Sequence, residues 1–243
     1  MRTVYREQLD KFAHNLIVMC DHVHSMHKEA NKALFDADLS AAESVLTAID
    51  KLDELSRLCE NDAFDLLARE APVARDLRQI VSGIYIVADI SRMGALSVHI
   101  ANIARRRFPN KVLSEPIEGY FREMASVAEK MTHDTRQVLI DYDADQALKL
   151  NDVDDSIDDI HQHLFTLTTS PDWEYSSAET VDVTLLSRYY ERYADHAVEV
   201  ATRIVYLATG LNKDAYLEKL DQDREQRTIE SRLSDMERHF GYS

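Results

Sequence analysis

Residues 185–210 read LLSRYYERYADHAVEVATRIVYLATG, a long stretch with the composition of a single helix. Glu191 and Asp195 stand four residues apart in it, so their carboxylates share one helix face with Cβ atoms roughly 5–6 Å apart. Like charges at that spacing destabilise an isolated helix, so a compensating group is expected. A solvated face would explain one such pair. A second pair at the same spacing, Asp154 and Asp158, favours a binding site formed by both pairs.

The composition of the whole chain indicates an all-α protein. Its 243 residues include only five Gly and four Pro, which is too little turn chemistry for a β-sandwich or a barrel. This length is sufficient for one or two domains with hydrophobic cores. Long helices joined by short turns are therefore the predicted architecture.

The net charge of the chain and its two cysteines limit the functions that the protein can have. A formal net charge of −16 excludes a protein that binds nucleic-acid backbones, and it suits cation binding or a basic partner surface. We expect no membrane insertion, because no uninterrupted apolar run approaches ~18 residues and the N-terminus lacks a signal-peptide core. Cys20 and Cys59 have no metal-binding spacing, so they indicate reduced thiols in a cytoplasmic protein.

Three long helices are predicted in the first half of the chain. The second helix is expected to open with a capping box, Ser40 to Glu43, and the third to carry Pro72 in its first turn. The first helix has His14, His22, His24 and His27 outside its seam, which we interpret as a solvated face rather than a metal site. The apolar seams of the first and third helices comprise Phe12, Leu16, Met19, Val23, Met26, Ala30 and Ala33, then Leu77, Val81, Ile84, Ala88, Ala95 and Val98.

The second half repeats this plan. Ser114 and Pro116 begin a fourth helix after a polar linker, and Gly210 ends the sixth. Each half is therefore predicted to form an antiparallel three-helix bundle, residues 1–108 and residues 109–210. The charged tail 211–243 has one helical seam, formed by Ile229, Leu233, Met236 and Phe240.

The sequences of the two halves can be aligned with each other. Residues 49–54 match 154–159, and residues 91–101 match 191–201. The acids Asp154, Asp158, Glu191 and Asp195 then correspond to Ile49, Asp53, Ser91 and Ala95. Duplication thus predicts a pseudo-twofold molecule in which acids gather in the second half alone. We expect Ser91, Gly94 and Ala95 to pack the first bundle tightly instead.

Two motifs give the chain a family resemblance. PVARDLRQIVS at 72–82 and ERYADHAVEVA at 191–201 resemble the PhoU family of phosphate-transport regulators, and the actinobacterial members in particular. The resemblance covers about residues 1–210 and leaves out the tail. The chain departs from the family pattern at residues 91–95, where SRMGA replaces the expected Glu-Arg-x-x-Asp. A metal cluster in the first half is accordingly not expected.

This resemblance implies a fold, partners and a site. It implies two three-helix bundles related by a pseudo-twofold axis, in a cytoplasmic and usually dimeric regulator without a reaction of its own. Its implied partners are a sensor histidine kinase and the ATPase of the phosphate ABC transporter, and its role is to restrain the phosphate-starvation response. It also implies that Asp154, Asp158, Glu191 and Asp195 hold iron, zinc, manganese or magnesium.

The residues alone leave three interpretations of the acidic quartet. Four carboxylates without cysteine suit a hard cation, with Asp155, Asp159, Glu199 and His161 as neighbouring candidates. A ferritin-like carboxylate-bridged oxidase is the enzymatic alternative, but that chemistry needs Glu-x-x-His on two helices and the residue at 194 is Ala. A helical scaffold with solvated acids is the third. Metal content and oxygen consumption distinguish them.

Overall fold

The computed structural model describes residues 2–240 and confirms the all-α prediction, with no strand in that range. Its helices are α1 (Arg2–Asp36), α2 (Leu39–Glu70), α3 (Ala74–Arg107), α4 (Glu115–Asp141), α5 (Ala144–Thr168), α6 (Ser177–Thr209) and α7 (Lys213–Phe240). Helices α1, α2 and α3 pack on one another, as do α4, α5 and α6. Each half is therefore a three-helix unit with a shared hydrophobic core.

Local capping groups fix where the helices begin and end. Asp38 is the N-cap of α2 and its carboxylate accepts a hydrogen bond from the Ala41 N–H, 3.0 Å away, so the capping box predicted at Ser40 is wrong. Ser114 precedes α4 as predicted. Gly210 ends α6 with φ of 76°, a left-handed conformation that glycine adopts without a steric cost.

The start of α3 differs from the sequence prediction. Val73 is the N-cap in an extended conformation and the first helical residue is Ala74, so Pro72 precedes the helix instead of lying in its first turn. The predicted apolar seam of its N-terminal half is also wrong. Leu77, Val81 and Ile84 are exposed, and the core-facing residues there are Ile80, Gly83, Ile86 and Val87.

The seam predicted for α1 is confirmed, since all seven of its residues are buried. The solvated histidine face is wrong at His27, which is completely buried. Its ring stacks on Tyr193 with a centroid distance of 4.2 Å and meets Tyr190 edge-on at 5.6 Å. Burial lowers the pKa of His27 to about 3, so the imidazole is neutral and acts as an aromatic core residue.

The helix pairs α3–α6 and α1–α4 pack across the two halves, and His27 of α1 also contacts Tyr190 and Tyr193 of α6. Along α3 and α6 the contacts run in opposite directions: Asp89 meets His196 at 3.0 Å, whereas His99 stacks on Tyr189 at 5.1 Å. The two helices are thus antiparallel. Between α1 and α4, Asn31 donates to Glu129 over 3.0 Å.

A buried carboxylate closes one end of the α3–α6 pair. Asp182, near the start of α6, is almost fully buried and accepts hydrogen bonds from Arg106 Nη2 at 2.8 Å and Arg107 Nε at 2.6 Å. A buried carboxylate is tolerated when charged hydrogen bonds compensate its desolvation. This contact fixes the end of the first half against the start of α6.

Helix α3 is long and apolar enough to cross a membrane by length and composition alone, a property that buried core helices share. More than half of its apolar window is buried inside the fold, where it packs against α1, α2 and α6. These contacts are those of a central core helix. Its apolar character follows from having neighbours on several sides.

The tail forms the predicted helix, α7, which projects beyond the two bundles. Lys213 Nζ donates to Asn151 Oδ1 at 2.5 Å and Tyr216 OH donates to Asp145 at 2.9 Å, so its first turn is anchored on α5. Ile229, Leu233 and Met236 of the predicted seam are exposed, and the side chain of Phe240 lies outside the described residues.

Candidate metal centre

Helices α5 and α6 pack along their lengths and position the predicted acidic quartet. Leu150, Ile157 and Leu164 of α5 are buried about two turns apart along the helix and contribute to this packing. On the two flanking faces, Asp154 lies one turn before Asp158 and Glu191 one turn before Asp195. Each helix therefore presents a pair of carboxylates near the seam between them.

The electrostatics show that these acids form one cluster. Burial, followed by the charges of Asp158 and Asp195, raises the pKa of Asp154 to about 7. Burial and the charge of Asp195 likewise raise the pKa of Asp158 and the pKa of Glu191. Asp195 thus acts on acids of both helices. Such repulsion is the penalty that a bound cation would remove.

Two oxygens of the cluster are buried without a hydrogen-bond partner among the described residues. They are Asp154 Oδ1 and Glu191 Oε2. Glu191 is only 9% exposed, so solvent compensates little of its desolvation. Unsatisfied carboxylate oxygens beside other carboxylates are a donor set that fits a hard cation.

The cluster is not assembled as a finished coordination sphere. Within residues 2–240, no three His, Cys, Asp or Glu side chains converge closely enough to hold a metal ion as they stand. The four acids act on one another electrostatically without forming a ready ligand set among the described residues. Metal binding at this site therefore remains a prediction.

The neighbouring candidates differ in their surroundings. Asp155, Asp159 and Glu199 are exposed. His161 Nδ1 lies 3.1 Å from Ser187 Oγ, and burial together with the charge of Arg188 lowers the pKa of His161. This histidine is held by a hydroxyl on α6.

The sequence places Arg188 in the same polar row as Glu191 and Asp195 but does not assign it a role. Arg188 Nη1 donates to Glu191 Oε1, and the arginine charge offsets a small part of the upward shift that burial and Asp195 impose on the pKa of Asp158. Arg188 is the compensating group that like charges on one helix face require. Its spacing of three residues from Glu191 was a signal for an ion pair, although the sequence did not show that it also acts on α5.

The corresponding face of the first half is built differently. Asp53 is exposed, whereas Ile49, Ser91 and Ala95 are half-buried. Ser91 Oγ donates a hydrogen bond to the Val87 carbonyl at 2.8 Å, so its hydroxyl is bonded within its own helix.

Gly94, on the neighbouring turn, is buried. A Cβ added there would lie 2.2 Å from Leu52 Cδ2, so the predicted tight packing is confirmed at this glycine.

Comparisons with known proteins agree with this architecture. The PhoU domain profile matches residues 16–104 and 121–204, one segment in each half. The phosphate-specific transport system accessory protein PhoU homolog 2 of Mycobacterium bovis is 49% identical over 210 residues, covering 86% of this chain and 99% of the relative. Homolog 1 of Mycobacterium leprae is 46% identical, with 86% and 95% covered.

Solved structures show the same fold. The crystal structure of PhoU from Pseudomonas aeruginosa aligns with a TM-score of 0.77 at 25% identity, covering 85% of this chain and all of that one. The regulatory protein PhoU from Streptococcus pneumoniae aligns with a TM-score of 0.76 at 22% identity, covering 86% and 98%. Both alignments leave about the length of α7 unmatched. With two matched segments and relatives near half identity, the chain belongs to the PhoU family.

Proposed function

We propose that this chain is an accessory protein of a phosphate-specific transport system and a negative regulator of the phosphate-starvation response. The observation that carries the proposal is its identity of 49% to a relative of that name over almost the whole relative. In this role it acts in the cytoplasm between a sensor histidine kinase and the ATPase of the phosphate ABC transporter. A homodimer is the proposed assembly.

A regulator of this kind needs no reaction of its own. It biases a kinase or a transporter by binding their conformational states with unequal affinity. A net charge of −16 favours encounter with basic partner surfaces. The ferritin-like alternative has little support, because Ala194 is buried where a histidine ligand would be needed three residues after Glu191.

We further propose that Asp154, Asp158, Glu191 and Asp195 hold iron, zinc, manganese or magnesium. The two unpartnered buried oxygens and the raised pKa values of three of the acids support this proposal. The ion would supply positive charge between α5 and α6 and so favour one arrangement of the two helices. In a metal-binding scaffold, the second candidate function, the same ion would be purely structural.

Elemental analysis of the purified protein tests the metal site. Wild-type protein should carry metal, and Glu191→Ala combined with Asp195→Ala should lose it. Asp53→Ala is the matched control, because it removes an acid at the equivalent place in the first half and should retain the metal. Equal metal content in wild type and the double variant would rule out the quartet.

Deletion of the gene in its host tests the regulatory role. Alkaline phosphatase activity should rise in phosphate-rich medium and return to low levels when the wild-type chain is restored. Capture with the tagged chain should recover the kinase and the ATPase. Unchanged phosphatase repression, in a strain lacking any second family member, would contradict the role.

A further inference from the structure

Arg188 places a positive charge beside the acidic quartet of the second half, at Glu191. Its guanidinium Nη1 donates to Glu191 Oε1, while the other oxygen of Glu191 has no partner among the described residues. The charge of Arg188 also acts on Asp158 and His161 of α5. The guanidinium therefore neutralises part of the charge that a metal ion would neutralise.

The duplication shows that this cation accompanies the acids. The sequence match that places residue 91 on 191 and residue 95 on 195 places Ala88 on Arg188. In the first half, where three of the four acids are missing, the corresponding position carries no charge. Arg188 and the acid cluster thus occur in the same half.

We propose that Arg188 is an internal cation that occupies the quartet when no metal is bound and competes with metal for Glu191. This inference depends on the proposed metal site. Two positive charges beside one carboxylate repel each other, so an incoming divalent ion must displace the guanidinium. The displacement lowers the apparent affinity in proportion to the population of the displaced state.

The surroundings of Arg188 allow it to leave without disturbing the core. Its side chain is 51% exposed, whereas the Glu191 side chain is 12% exposed. Arg188 also lines a surface groove with Arg192, His196, Glu199 and the quartet acid Asp195, so its side chain borders both the quartet and solvent. The carboxylate stays in place while the arginine moves.

The exchange couples metal binding to the outer surface. A metal-loaded protein presents the guanidinium of Arg188 to solvent, where an anionic group of a partner can bind it. By linkage, a partner that binds the released arginine strengthens metal binding by the same factor. The ion content of the quartet and the occupancy of this face of α6 thereby regulate each other.

Manganese titration of metal-stripped protein tests the proposal. Arg188→Gln should bind Mn²⁺ up to about fivefold more tightly than wild type, because an ion pair worth up to about 1 kcal/mol no longer competes. Arg188→Lys keeps the charge without the planar fork, so its affinity should fall between the two. Arg192→Gln is the matched control: it removes an arginine one turn along the same groove and should change affinity less than about threefold.

Stability without metal gives an independent measurement. In a chelator-treated buffer, Arg188→Gln should unfold at a lower urea concentration than wild type, and added Mn²⁺ should stabilise it more than it stabilises wild type. Unchanged or weaker Mn²⁺ affinity in Arg188→Gln would overturn the competition.

The outcomes separate this inference from the metal site itself. If wild type binds Mn²⁺ and the Glu191→Ala plus Asp195→Ala variant does not, the quartet stands even when Arg188→Gln shows no gain. If neither wild type nor Arg188→Gln binds Mn²⁺, both the site for this ion and the competition are overturned. Binding by Arg188→Gln alone would support the competition most directly.

Discussion

Asp154 has a pKa near neutrality because its carboxylate is partly buried among other acids, with one oxygen unpartnered. Its folded pKa of about 7 lies above its unfolded value of 3.8. Between those values the folded protein holds a proton that the unfolded chain has released. Asp154 therefore contributes stability at low pH, and that contribution is lost as the pH rises through about 7.

Asp154→Asn should remove this dependence, because the amide resembles the protonated acid. In metal-free buffer at about pH 8 the variant should be about 1 kcal/mol more stable than wild type, a value discounted for solvent screening, and near pH 4 the two should be equal. Urea denaturation at a series of pH values measures the difference. A difference that stays constant with pH would contradict the shifted pKa.

The comparison with Asp154→Asn is needed because His27 acts in the opposite direction. Its folded pKa of about 3 is below the ordinary value of 6.5, so its contribution is present above 6.5 and is lost as the pH falls. Helical periodicity missed the burial of His27, since its position beside Tyr190 and Tyr193 depends on the packing of α6 against α1.

At the scale of the helix, α3 approaches its neighbours closely at two glycines, Gly83 and Gly94. The Cβ of an alanine in place of Gly94 would lie 2.2 Å from Leu52 Cδ2, and Leu52 is itself completely buried. The surrounding side chains are held in place by their own packing, so the core must shift to accept one more carbon.

Gly94→Ala should destabilise the protein by about 1–2 kcal/mol, because overpacking outweighs the gain in helix propensity. Gly119→Ala in α4 is the matched control, since an added Cβ there has nothing within 4 Å. That variant should be more stable by up to about 1 kcal/mol. Thermal unfolding of both variants measures the contrast, and equal shifts in the two would refute the packing argument.

The sequence predicted the positions of the helices more accurately than it predicted which of their residues face the core. All seven residues of the seam predicted for α1 from its regular spacing are buried, although α1 also buries residues outside that seam, such as His27. Helix α3 has partners on several sides, so apolar residues occur all round it, and periodicity selected the exposed Leu77 and Val81. The spacing of Glu191 and Asp195 within one helix predicted that they share a face. Their proximity to Asp154 could not be predicted in this way, because it depends on how α5 packs on α6.

At the scale of the molecule, duplication made the architecture predictable. Matching the halves placed the candidate site in the second one, and the family resemblance supplied the fold. The division of the chain into separate bundles and a tail at residues 108 and 210 stays a prediction. The contact of Asp182 with Arg106 and Arg107 could not be read from the sequence, because the partners lie 76 and 75 residues away in different halves.

Asp182→Ala should cost about 3 kcal/mol, because it breaks a buried charged network and leaves Arg107 without its carboxylate. Asp235→Ala is the control, since its ion pair with Arg238 is largely exposed and the change should cost less than about 0.5 kcal/mol. Urea denaturation compares the two. A cost for Asp182→Ala no larger than that of the control would mean that the contact does not stabilise the junction.

The Asp182 contact also affects whether the two halves would separate after proteolytic cleavage between them. A cut in the connection between Phe108 and Glu115 would sever the chain, yet the fragments would still share the α3–α6 and α1–α4 pairs and the carboxylate held by two arginines. Nicked protein should therefore elute as a single particle under native conditions and separate only in denaturant. Two copies that arose by duplication have become a single unit that no longer needs its covalent tether.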